Sequence, residues 1–83
     1  MDDVDVIRGS ISAYTEFISG VLWSDMRLNV ESWLENIRDQ LETEEDINVV
    51  ARLRGNAEAC RRFLQLPFVI LEALKLDLEI RDE

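Results

Sequence analysis

The stretch that most constrains this chain is residues 51–67, Ala-Arg-Leu-Arg-Gly-Asn-Ala-Glu-Ala-Cys-Arg-Arg-Phe-Leu-Gln-Leu-Pro. It reads as one helix with two packing edges. Val49, Val50, Leu53, Ala57, Cys60 and Leu64 recur at helical spacing and form an apolar face. Ala51, Gly55 and Ala59 fall on a second, separate stripe of small side chains. Glycine inside a helix costs about 1 kcal/mol relative to alanine. Its presence asks for compensation, most simply a bulky side chain or another backbone lying close. A helix gripped from two sides is a central element, which points to assembly and binding rather than to chemistry.

The flanking sequence supplies its neighbours. Met26, Val30, Trp33, Leu34, Ile37 and Leu41 share an arc of roughly 100° when successive residues advance by about 100°. They predict a helix over 24–42 with Ser24 as N-cap. The acids Glu31, Glu35, Asp39 and Glu42 lie off that arc, and Leu28 projects among them. An acidic corner follows, in which Thr43 and Asp46 resemble a capping box for a helix over 44–65, with Glu44 and Glu45 in its first turn. So short a corner makes the two helices antiparallel. That register brings Trp33 to Gly55 and Ala57, and Glu35 to Arg54.

Before this hairpin, Val4, Ile7, Ile11, Tyr14, Ile18 and Val21 predict a helix over 3–19, with Phe17 widening its face and Gly20 as its stop. After it, Pro67 is expected to end one helix and open a shorter one over 67–76. Residues 68–76 are apolar nearly all round, as befits a segment buried on every side or used as an interface. Residues 76–80 alternate as a strand would, and so do residues 4–6. Pairing the two would set acids beside acids, so a fraying helical tail over 77–83 is the expectation. The fold class is therefore all-α: a single domain over 1–83, a small helical bundle built on a central antiparallel hairpin.

Several functions are disfavoured by composition. There is no histidine, which removes the commonest acid–base residue and metal ligand. The single cysteine, Cys60, has no histidine to activate it and sits on an apolar face. The acidic corner lacks the length and turn glycine of a calcium loop. No catalytic, cofactor or metal residues are assigned, and an enzyme is not expected. Eighteen acids against nine bases leave a net charge of −9, which opposes direct nucleic-acid binding. The tryptophans are accordingly read as core (Trp33) and core edge (Trp23), not as a base-stacking platform. Arg52, Arg54, Arg61 and Arg62 are expected to pair internally, Glu58 standing four residues from Arg54 and from Arg62. No apolar run approaches a membrane span, the N-terminus begins with acids where a leader is basic, and one cysteine suits a reducing compartment. A cytoplasmic protein is the expectation.

The succession Trp33-Leu-Glu-Asn-Ile-Arg-Asp-Gln-Leu41, acidic corner, Ala51-Arg-Leu-Arg-Gly-Asn-Ala-Glu-Ala, then Phe63-Leu-Gln-Leu-Pro67 resembles short helical-hairpin proteins of tailed bacteriophages. The resemblance spans residues 23–71 and carries no catalytic residues. It implies a phage protein acting in the cytoplasm of an infected bacterium or in virion assembly. The reading is an interaction module binding itself, as a homodimer or higher oligomer, or a larger phage or host protein. Its expected interface residues are Leu28, Ala51, Gly55, Ala59, Phe68, Val69, Leu71 and Leu76. The alternative is an acidic inhibitor of a host enzyme, a nucleic-acid mimic. A mimic requires a regular exposed array of acids, whereas an assembly module requires an exposed apolar patch.

Overall fold

A computed structural model describes residues 7–82. Three helices account for nearly all of them: α1 (Ile11–Ser19), α2 (Val21–Thr43) and α3 (Ile47–Asp82). There is no strand among the described residues, so the chain is all-α. Its contacts fall into two compact units, Asp25–Leu64 and a second one made of residues 7–24 and 65–82.

In the unit Asp25–Leu64, Val30 and Leu34 of α2 and Leu53 and Ala57 of α3 are buried. Ile37 and Leu41 of α2, and Val49, Val50, Cys60 and Leu64 of α3, are half-buried around them. Fully burying a valine or leucine is worth about 1.5–3 kcal/mol, so these side chains dominate the stability of this unit. The apolar face read for the third helix is thus the one that packs. The face read for the second helix divides. Its Val30–Leu34 side is covered, whereas Met26 and Trp33 are exposed. The residues of α3 nearest that edge, Ala59 and Cys60, are too small to cover it.

The corner between α2 and α3 differs from the expected capping box. Thr43 is the last residue of α2, and the Glu44 amide still donates to the Gln40 carbonyl at 3.0 Å. The N-cap of α3 is Asp46. Its Oδ1 accepts the Asn48 amide at 2.9 Å, and its carbonyl accepts from Val50. The Glu44 carboxylate accepts the Asp46 amide at 3.1 Å. Aspartate's short acceptor reaches the second amide of the helix directly, which moves the start of α3 to residue 47. Glu44 and Glu45 then precede the helix instead of forming its first turn. In the same way Ser24 is no cap: its amide donates to the Gly20 carbonyl, and α2 starts at Val21.

The second unit begins with α1. Ser10, unremarked in the sequence, is its N-cap, with Oγ accepting the Ala13 amide at 3.1 Å. The helix therefore starts at Ile11, and residues 7–10, expected to be helical, are not; residues 3–6 of the expected helix lie outside the described residues. A β-carbon at Gly9 would come within 2.8 Å of the Tyr14 ring, so glycine is what lets that ring lie across the turn. Gly20 ends α1 as expected, donating to the Phe17 carbonyl at 3.1 Å, and its own carbonyl opens α2. Val21, read as part of the first apolar face, is exposed on α2 instead.

Phe17, Trp23 and Phe68 form an aromatic run in this unit, with ring centroids 5.8 Å apart for Phe17–Trp23 and 6.2 Å for Trp23–Phe68, the latter edge-on. Trp23 is only 3% exposed. Aromatic pairs at these distances add about 0.5–1.5 kcal/mol each beyond the area they bury.

The expected break at Pro67 does not occur. Residues 65–82 continue α3 without interruption, and the segments 67–76 and 77–82 belong to the same helix. An internal proline forfeits a backbone hydrogen bond and costs about 3 kcal/mol. Pro67 is itself buried, and the next residue is Phe68, in edge contact with Trp23. The tail stays helical because Leu, Glu and Lys are good helix formers.

Candidate interaction surface

The unit Asp25–Leu64 carries an open groove of about 490 Å³ between α2 and α3. Asp25, Met26, Asn29, Val30 and Trp33 line it from α2, and Ala59, Cys60 and Phe63 from α3. Its walls are predominantly apolar, and Trp33 is 58% exposed. This arrangement follows from side-chain size. Trp33 on α2 shares the groove with Ala59, Cys60 and Phe63 on α3, and of these Ala59 and Cys60 are small, so the groove stays open on its outer side.

Helical periodicity extends the face. On α2 the groove-side positions continue as Asn29, Asn36 and Gln40, and on α3 as Asn56. Asp25 and Arg52 are the charges that fall on this side. Glu31, Glu35, Asp39 and Glu42 project away from it. An apolar centre with a polar margin that carries few charges is the composition of an interface. The outer face of α2 is unlike it: four acids stand there with two arginines, and Arg27–Glu31 pair at 3.2 Å and Glu35–Arg38 at 3.9 Å.

Of the residues expected at an interface, Leu28, Ala51, Gly55 and Ala59 are exposed in this unit, and of these Ala59 alone lines the groove. A β-carbon added at Gly55 would meet nothing within 4 Å. Trp33 therefore does not pack on Gly55 as the hairpin register predicts, and among the described residues nothing else comes within 4 Å of that position. Glu35 pairs with Arg38, not with Arg54, because a partner one turn away on its own helix is within reach. The expected Glu58–Arg62 pair forms at 3.3 Å.

In the other unit Phe68, Val69 and Leu76 are exposed and Leu71 is half-buried. Leu78 and Ile80 are exposed as well. A shallower hollow of about 240 Å³ lies among Gly9, Ala13, Tyr14 and Phe17.

Met26, Trp33, Cys60 and Phe63 were missed as groove residues. The sequence signal was Trp33 opposite Ala59 and Cys60, together with the amide-rich margin, but an apolar face does not say which of its edges a partner helix covers. The two tryptophans also exchange roles: Trp23 is core and Trp33 is surface. Periodicity placed Trp33 on the apolar face of the second helix and left Trp23 ahead of that helix, and only the aromatic run in three dimensions shows Trp23 to be core.

Among the described residues, no group of three or more His, Cys, Asp or Glu is placed to hold a metal ion, and no helix is long and apolar enough to cross a membrane. Comparison with protein-family models, with curated proteins and with solved structures gives no match to the chain.

Proposed function

We propose that this chain is a non-enzymatic helical interaction module, built on an antiparallel hairpin of residues 25–64 within a small bundle. It works by covering its groove with protein. The observation that carries this reading is the open apolar groove with Trp33 and Met26 exposed at its edge. Large apolar side chains left at the surface in a contiguous, polar-rimmed patch are the mark of a protein-binding site. The resemblance of residues 23–71 to phage helical-hairpin proteins extends the reading to a phage-encoded factor acting in the host cytoplasm or in virion assembly.

The alternative, an acidic inhibitor mimicking nucleic acid, draws on the exposed acids of α2 and the charge of −9. Arginines paired within that acidic face interrupt the array a mimic requires, so the interaction module is the better-supported function.

The test is affinity capture from phage-infected and uninfected bacterial lysates, combined with the solution mass of the purified chain. Binding to itself or to a discrete protein, lost when Trp33 is replaced by alanine, is the expected result. Capture that survives Trp33→Ala but is lost when Glu31, Glu35, Asp39 and Glu42 are neutralised would favour the mimic.

A further inference from the structure

We draw no further inference here: the strongest candidate, the open apolar groove of the unit Asp25–Leu64 lined by Met26, Trp33, Ala59, Cys60 and Phe63, belongs to the site already described, and nothing in the structure shows what covers it.

Discussion

Trp23 and Trp33 stand ten residues apart on α2 and meet opposite fates. Trp23 lies between Phe17 and Phe68 and is 3% exposed; Trp33 lines a groove opposite Ala59 and Cys60 and is 58% exposed. The residue and the helix are the same, so the difference comes from what each ring faces. Around Trp23 the chain spends two further aromatics, and a proline held inside a helix, to close a core. Trp33 instead lines an open groove with Met26, Ala59, Cys60 and Phe63 and is left uncovered. Buried aromatics stabilise the chain, whereas Trp33 stays at the surface of its unit and contributes little to the core.

The contrast breaks most visibly under truncation. Trp23→Ala should destabilise the chain by about 3–5 kcal/mol, the range for emptying a large aromatic site. Trp33→Ala at a concentration too low for association should stay within about 1 kcal/mol of wild type. Urea midpoints for the two variants check this directly, and equal losses would erase the distinction between the rings.

Pro67 sharpens the account of the Trp23 side. The proline costs α3 a hydrogen bond; it is buried and directly precedes Phe68, whose ring meets Trp23 edge-on. Pro67→Ala restores the bond and should raise stability by about 1–3 kcal/mol. A fall in the denaturation midpoint would mean that the proline ring, or the backbone shape it imposes, is what seats the aromatic run.

The sequence made much of this legible and hid the rest for definite reasons. Periodicity sufficed for the all-α class, for the Leu53–Ala57 packing face and for the stop at Gly20, because each depends on spacing along a single element. Pro67 defeated the local rule: α3 runs through it at a buried position, and burial is a tertiary quantity that no local preference reports. The start of α3 was misplaced because Thr43, Glu44 and Asp46 all offer capping oxygens, and choosing among them depends on where α2 ends. The groove was only half legible. Ala59 was singled out, but the edge of α2 that would remain open depended on how far the small side chains of α3 let the two helices cover each other.

The caps contribute less. Asp46→Ala removes the acceptor for the Asn48 amide at the start of α3 and should cost about 1 kcal/mol, as N-cap removals do. Thermal unfolding of this variant beside Ser10→Ala, which loses the Ala13 contact in α1, tests whether the two helix starts are of comparable worth. If Asp46→Ala were neutral, the placement of α3's first turn would be in error.

The smallest effect is informative by its sign. Gly55 faces open space, so in the dilute chain Gly55→Leu should stabilise by up to about 1 kcal/mol through helix propensity alone. Destabilisation under those conditions would indicate a close neighbour within the single chain.

The central claim is that Trp33 is left uncovered by its own chain. The direct measurement is acrylamide quenching of a Trp23→Phe variant, in which Trp33 is the sole tryptophan, in dilute solution. Trp33 should be freely quenched and should emit at the red-shifted wavelengths of a solvated indole. A Trp33 shielded from the quencher in the dilute chain would contradict the claim.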